Sequence, residues 1–560
     1  KNTGELVYAS WPGERPKDSS FSTPQLGWYG NQRVYWSGGG DGNIYCANAR
    51  TGDPIWRYHI SHGGLNSSVL AYKDMVIGIH GSENLDATTI GRIVAVRPGP
   101  GVKAVDGKAA VLDKSKEVWR VDIPGMSTSP ILVGNRVYQV TDMPAKLYCI
   151  DADNGKVLWS HHLGIEIRQS SPTWADGKLY IPLQEGNVFI LKPGDAGPEV
   201  LDKIKLEGAD SGTGICQGSA AIYRGRVYIQ TTKLLYCFGP KQPGPLAAQI
   251  AQPEVKAGPL ARFMVVPNEF LLRPGESAKF RLIGIDAGGN WLKENFDASK
   301  ATFEKWIPPT AKVKSEVSGS FAANVFSADP ATKPSAGAFK ATLNGISGTA
   351  RGRVLPFMPL SQNFDGFPLQ PKEEEPGVSF SYPPLPWIGA RFKWEIREKD
   401  GNKVLQKTID NKFFQRAFTF ISHPDASNYT IQADVMSDGQ TRKVGGKEKI
   451  VKMSEVGVIV NRYIVLLKGA AQSIEVNSNQ ERLQQSVPFA WSPNAWYTLK
   501  ARVDVDEKTG AGTVRAKAWK KGEPEPEKWT IEVPHKTAHK NGSPGLFGFS
   551  CQERVVHDHG

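Results

Sequence analysis

Nowhere in its 560 residues does this chain come near the ~20 uninterrupted apolar residues that a membrane-spanning helix requires, so no such helix is expected in it. Long stretches with the 3.6-residue period of an amphipathic helix are scarce too, whereas Gly (58) and Pro (39) are abundant. That balance predicts an all-β, turn-rich protein. Cysteine is rare: Cys46, Cys149, Cys216, Cys237 and Cys551 make no C-x-x-C, no haem-attachment C-x-x-C-H and no metal spacing, which leaves redox and haem chemistry without a motif. His423, His535, His557 and His559 show no ligand spacing with a supporting acidic residue, the terminal HDH included, and no metal site is expected. No dense Lys/Arg run interleaved with aromatics is present, so nucleic acid is not an expected partner.

What is there supports several packed cores. The chain is 40% hydrophobic and 22% charged, and its length suggests about three or four domains. The formal net charge of +12 (68 basic against 56 acidic residues) is diluted over a large surface, and it puts anionic polysaccharide or cell envelope ahead of nucleic acid as a partner.

Internal repetition is the most informative feature of the sequence. A unit of about 40 residues, the scale of propeller repeats, recurs as STPQLGWYGNQRVYWSGGGDGNIYCANARTGDPIW (22–56), STSPILVGNRVYQVTDMPAKLYCIDADNGKVLW (127–159) and QSSPTWADGKLYIPLQEGNVFILKPGDAGPEVL (169–201). A copy from about Asn66 to Trp119 carries the insertion RPGPGVKAVDGKAAVLDKSKEVW, and another, QGSAAIYRGRVYIQTTKLLYCFGP (217–240), stops before a closing strand. The alternation in RVYW, RVYQV, KLYIP and RVYIQ is strand periodicity. Each unit reads as a small antiparallel meander that must stack on its neighbours to bury both faces. Gly4, Gly52 and Gly155 are expected in the turn before each last strand, and Tyr8, Trp56, Trp119 and Trp159 between neighbouring units. Cys46, Cys149 and Cys237 share one repeat position, as a small buried hydrophobe would.

LYCIDADNGKVLW and NIYCANARTGDPIW resemble the quinoprotein-type (PQQ-like) β-propeller repeat. That family includes quinone-dependent alcohol dehydrogenases and a non-catalytic lipoprotein of the bacterial outer-membrane barrel-assembly machinery. The resemblance implies a propeller of about five recognisable repeats over residues 1–240. A dehydrogenase of this family would also show an adjacent cysteine pair, a Glu/Asn/Asp calcium set and a catalytic Asp. The chain has no Cys-Cys pair and no matching calcium set can be assembled from it, so neither PQQ nor calcium is expected.

Residues 241–259, rich in Pro, Gly and Ala, read as a linker. Residues 260–356 give short strands with turns at RPGES and DAGGN and resemble a bacterial immunoglobulin-like sandwich. Residues 362–560 resemble a concanavalin-A-like (laminin-G-type) jelly roll, carried by NYTIQADVMSD, EVGVIVNRYIVLLKG, NAWYTLKARVDVD and GSPGLFGFS.

For this last region three site readings arise. IQADVMSD puts Asp434 and Asp438 at the parity of a carboxylate pair, as a sandwich glycosidase would need, but no Glu accompanies them. Trp491, just before a turn in FAWSPNAW, is read first as core packing and second as a residue placed to stack on a sugar ring, and Arg462 in NRYIVLL first as a solvated strand residue and second as a glycan candidate. Trp496 begins an alternating strand and is expected in the core. With no convergent catalytic set, the leading expectation is a non-catalytic binding or scaffold protein outside the cytoplasm, periplasmic, outer-membrane-associated or extracellular. Its partners would be an envelope protein or polysaccharide, with no catalytic residue and no metal. A PQQ-dependent dehydrogenase and a glycan-active enzyme are the alternatives.

TGELVY, near the start, looks like a closing strand without its repeat, while LYCFGP lacks a closing strand. Residues 3–8 could therefore complete residues 217–240 and seal a five-bladed ring, with Tyr8 beside Tyr236. Alternatively both ends break off inside a unit, as in a fragment of a longer protein, which is the favoured expectation.

Overall fold

The computed structural model describes residues 4–206, 215–246, 253, 255–356, 358–408, 416–444, 447–478 and 483–549. Cys551, His557, His559 and the strand expected after GLFGFS lie outside these residues, as does part of the 241–259 linker. Contacts divide the chain into two compact units, Tyr8–Arg262 with Gly284–Glu294, and Lys1–Val7 with Phe263–Ile283 and Asn295–Gly560.

In the first of these units the predicted alternation becomes five successive antiparallel sheets. They hold Gln25–Tyr29, Gln32–Gly38, Asn43–Asn48 and Pro54–His59, then Leu70–Tyr72, Met75–Glu83, Ile90–Val96 and Glu117–Val121. The third has Ile131–Val133, Arg136–Thr141, Ala145–Asp151 and Val157–Gly164, and the fourth has Thr173–Ala175, Lys178–Pro182, Asn187–Pro193 and Pro198–Lys205. The fifth has three strands, Ala221–Tyr223, Arg226–Gln230 and Leu235–Phe238. The insertion in the second copy returns to the first sheet, where Ala110–Val111 pairs parallel with its fourth strand and adds a fifth.

Each sheet buries its faces against the next. One apolar cluster joins Trp36, Ile44 and Trp56 to Val76 and Val94, a second joins Ile77 and Ile93 to Val137 and Ile150, and a third joins Val140 and Leu147 to Ile181 and Leu191. Two kinds of bond add register to this packing. The Ser/Thr that precedes each first strand passes a hydrogen bond onward: Thr23 N–H donates to Ser68 Oγ (3.3 Å), Ser68 N–H to Ser129 Oγ (2.9 Å), Ser129 N–H to Ser171 Oγ (2.9 Å) and Ser171 N–H to Ser219 Oγ (2.8 Å). The aromatic residue that ends a unit reaches the following turn: Tyr8 OH donates to the Ala49 carbonyl (3.0 Å), Trp119 Nε1 to Ala152 (3.0 Å) and Trp159 Nε1 to Gly194 (2.9 Å). Trp56, fully buried, finds no acceptor among the described residues for its Nε1, because the turn it faces is replaced by the insertion.

The turn glycines serve this clamp. Gly52 and Gly155 have φ of +76° and +74°, and a Cβ on them would lie 2.4 Å from the Tyr8 ring and 2.6 Å from the Trp119 ring. The recurrent cysteine has an equally local cause: Cys46 lies opposite Trp36 and Trp56, and Cys149 opposite Tyr138 and Trp159, where only a small side chain fits between two rings. Burial pushes the Cys149 thiol up to about 11, so it stays protonated at neutral pH. Cys237 departs from the expectation. It opposes Tyr228 in the three-stranded sheet and is exposed, because no fourth strand covers it there among the described residues. The closed-ring pairing is likewise not found: Tyr8 packs on Gly52 of the first sheet, and Leu235–Phe238 pairs with Arg226–Gln230 alone among the described residues.

The other unit contains two packed sets of sheets. A four-stranded sheet (Glu269–Leu272, Ile346–Val354, Ser335–Leu343, Thr302–Trp306) and a three-stranded one (Ser277–Lys279, Val325–Ala328, Gly319–Ala322) enclose Phe270, Phe280, Phe303, Phe321, Phe326 and Phe339 in mutual ring contact. Further along, a six-stranded sheet (Arg416–Phe420, Gly545–Phe549, Glu455–Val460, Tyr463–Lys468, Ser473–Ser478, Leu483–Pro488) faces a four-stranded one (Thr430–Val435, Tyr497–Val505, Gly512–Lys520, Ile531–His535). Val458, Val465, Leu467, Ile474, Leu499, Val514 and Ile531 fill the space between them.

Gly155→Ala combines a positive φ with a clash on Trp119 and is expected to destabilise by about 2–5 kcal/mol, against about 1–2 kcal/mol for Gly134→Ala, whose Cβ meets open space. Equilibrium urea unfolding measures both. A pH effect follows from His80, wholly buried in the second sheet, which burial and the nearby Arg92 guanidinium hold down to about 4 from an ordinary 6.5. Below pH 6.5 the unfolded chain binds a proton that the folded one refuses, so stability falls as pH drops from about 6.5 to 4, by about 3 kcal/mol in total. His80→Asn should remove that part of the acid sensitivity, read from unfolding curves at the two ends of the window.

Candidate binding surfaces

In an antiparallel meander the first and third connections leave one end of the sheet, and the second connection and the link to the next sheet leave the other. In the first unit this second end carries exposed large apolar side chains. Leu85 and Met143 sit on second connections, Met126 and Ile165 on links between sheets, and Trp11 and Phe21 on the segment leading into the first sheet. Met143 and Ile165 are 67% and 74% exposed.

These connections are held in place. Asp142 Oδ2 accepts from Met126 N–H (2.8 Å) and the Asp142 carbonyl from Ile167 N–H (2.9 Å), joining Met126, Met143 and Ile165 into one patch. Nearby, the buried Arg92 guanidinium donates to both Asp86 and Asp122 (each 2.6 Å), and those hydrogen bonds keep both carboxyls below the usual carboxylate range. The loop that bears Leu85 is thereby tied to the link at Asp122.

The two glycan candidates part company, Trp491 following its core reading. Trp491 is 3% exposed, its Nε1 donates to the Lys468 carbonyl (3.1 Å) and its ring meets Tyr497 edge-on (5.9 Å), so it belongs to the core between the two sheets and has no face free for a sugar. Arg462 lies in a two-residue turn rather than in a strand: Asn461 and Arg462 both have positive φ (43° and 70°), as a type I′ hairpin between Val460 and Tyr463 requires. Arg462 is exposed beside a groove of about 250 Å³ lined by Phe418, Phe420, Ile459, Ile464, Ser478 and Ser543. The strand Tyr463–Lys468 separates the two residues, on the order of 20 Å at ~3.3 Å per residue.

Trp496 is the residue that the sequence reading misplaced. Parity puts Tyr497, Leu499, Ala501 and Val503 inward, so Trp496 shares the outward set with Thr498, Lys500 and Arg502, and it is half-buried rather than core. Period-2 counting across YTLKARV carried that signal. Beside it, Asp434 Oδ1 accepts from Thr498 Oγ1 (2.7 Å) and its Oδ2 from Lys521 Nζ (2.8 Å). The strand ends at Val435, so the parity argument does not extend to Asp438, although both carboxylates and Trp496 line one cleft of about 2040 Å³.

Among the described residues no three His, Cys, Asp or Glu side chains come together as a metal cluster, and no helix is long and apolar enough to cross a membrane, which leaves strand-built spans aside. Cys46, Cys149, Cys216 and Cys237 stand singly. Trp491→Ala should cost about 3–5 kcal/mol in chemical denaturation, as removal of a core indole does, while Trp496→Ala should cost about 1 kcal/mol or less.

Residues 40–256 match the family model described as outer membrane protein assembly factor BamB. No curated protein matches the chain. Among solved structures, the crystal structure of BamB from Moraxella catarrhalis is similar at 13% identity, covering 40% of this chain and 60% of that one, with a TM-score of 0.30. The crystal structure of a mitotic checkpoint complex is similar at 10% identity, covering 38% and 63%, with a TM-score of 0.29. The chain thus spans less than two thirds of either. Over residues 40–256, the successive sheets with their clamped turns are a β-propeller of PQQ-like repeats, similar to those of the BamB family.

Proposed function

We propose that this is a non-catalytic binding or scaffold protein of the bacterial envelope, periplasmic, outer-membrane-associated or extracellular. Its propeller docks a protein partner, and its C-terminal sandwich engages a glycan or envelope polymer. The observation that carries the reading is a patch of exposed apolar side chains: Met126, Met143 and Ile165 sit together on ordered connections at one end of the sheets. A rigid scaffold with apolar residues on its loops is suited to recognition rather than to turnover. The family described as an outer membrane assembly factor supports the location and the protein partner.

In this reading residues 241–259 connect the propeller to an immunoglobulin-like sandwich at 260–356, for which the six-phenylalanine core speaks. Residues 362–560 form a concanavalin-A-like jelly roll, for which the six-on-four sheet arrangement speaks. Neither PQQ nor calcium takes part.

Affinity capture from solubilised envelope of the producing organism, followed by titration of the purified partner against variants, tests the docking half. Met143→Asp with Ile165→Asp should weaken a specific partner at least ~10-fold, with the thermal midpoint unchanged, while Lys178→Asp at the opposite end of the sheets should not. Equal binding by all variants would sink the assignment of this face. Dye-linked alcohol oxidation after reconstitution with quinone and calcium would overturn the non-catalytic reading.

A further inference from the structure

The outward face of the four-stranded sheet in the C-terminal sandwich has a composition that core packing does not call for. Its inner face supplies Ile431, Leu499, Val514 and Ile531 to the core. On the outer face, Trp496 and Trp519 are both half-buried, and the register sets Trp519 opposite Thr498, which in turn lies opposite Asp434. Trp519 and Trp496 therefore sit on adjoining rungs of the same face, with Trp519 across Thr498 from the Asp434 carboxylate. Gln432, two residues along the same strand as Asp434, adds an amide to that row, and it lines the cleft of about 2040 Å³ together with Asp434, Trp496 and Lys521.

The polar groups are oriented and their charge is spent. Asp434 is held by Thr498 and Lys521, yet each of its oxygens keeps a second lone pair. Lys521 is fixed to this rung by its backbone N–H donating to the Trp496 carbonyl (2.9 Å), and its Nζ lies 5.9 Å from the Trp496 ring centre. The five cations of the face, Lys500, Arg502, Arg515, Lys517 and Lys521, are all paired within it to four carboxylates, as Lys500 and Lys517 are to Glu525 and Lys521 is to Asp434. A polyanion would find these cations already engaged. A neutral chain of sugar rings would find apolar ring faces to stack on, beside planar acceptors and donors for its hydroxyls.

We propose that this outer face binds a neutral glycan, with Trp496 and Trp519 as stacking platforms and Gln432 and Asp434 as hydroxyl partners. The site rests on the reading of the C-terminal sandwich as a glycan-engaging module, and it replaces Trp491 as the aromatic contact.

The full chain is titrated by isothermal calorimetry with cello-, manno-, xylo- and chito-hexaoses, and with heparin and alginate as anionic probes, at low and at high salt. Expected is salt-insensitive binding of a neutral hexaose that Trp496→Ala weakens ~10-fold or more, that Asp434→Ala also weakens, and that Trp496→Phe largely retains, with near-ultraviolet circular dichroism confirming the fold of each variant. Binding of a neutral hexaose that is equal in all variants would overturn this placement and leave the glycan reading standing. Salt-sensitive binding of heparin or alginate alone would overturn the neutral ligand. No binding of any probe by the folded chain would overturn both this site and the glycan half of the proposed function, leaving the docking half untouched.

Discussion

The hydrogen bond from one serine's backbone N–H to the next serine's hydroxyl is what turns separate meanders into one body. A four-stranded antiparallel sheet of this size has two apolar faces and can bury neither by itself, so every sheet of the propeller exists on the condition that its neighbours are present. Hydrophobic contact supplies the drive but tolerates sliding. The bonds linking Thr23, Ser68, Ser129, Ser171 and Ser219 fix the register at the start of each first strand. The clamps of Tyr8, Trp119 and Trp159 fix it again at the turn before the last strand of the first, third and fourth sheets. Where both are fixed, a sheet cannot slip without breaking them, and at the buried Trp119–Ala152 bond the unpaired groups would cost about 1–3 kcal/mol each.

That rigidity is what makes the connections useful. The turns before the last strands are engaged by the clamp, with Gly52 and Gly155 covered by the rings of Tyr8 and Trp119. The connections on the other side are free to carry side chains outward, and there Leu85, Met126, Met143 and Ile165 are exposed on backbone pinned by Asp142 and the Arg92 pairs. The C-terminal sandwich divides its labour in a similar way: inward parity builds the core, and outward parity is left to present Trp496, Asp434 and Gln432.

Much of this was legible in the residues. The spacing of STP, STSP and SSP marked the repeat units, the TG and NG dipeptides marked the turns, and the recurrent IYC and LYC marked a position where a small side chain meets aromatics. The bonding role of the serines was not legible, because a Ser-Pro dipeptide gives no sign of an acceptor some forty to sixty residues away. Trp496 was misplaced for a related reason, whereas Trp491 keeps its core reading over the sugar-stacking one. A tryptophan near a turn suggests exposure, but Trp491 is drawn inward by the Lys468 carbonyl and Tyr497, whereas Trp496 opens a strand whose inward positions are already taken by Tyr497 and Leu499. Arg462 read as a strand residue because NRYIVLL is apolar after it, and the turn became visible only through the two positive φ values.

By itself the sequence determined the all-β class, the length of the repeat, the places of the turns and which cysteine and aromatic positions recur, since these depend on local periodicity and on residue size. The tertiary structure decided which serine meets which, which end of the sheets presents apolar side chains, and which tryptophan faces the core, since each depends on partners far away in the chain. Spacing along a strand states that two side chains share a face. Which of the two faces is buried is settled only when another sheet packs against it.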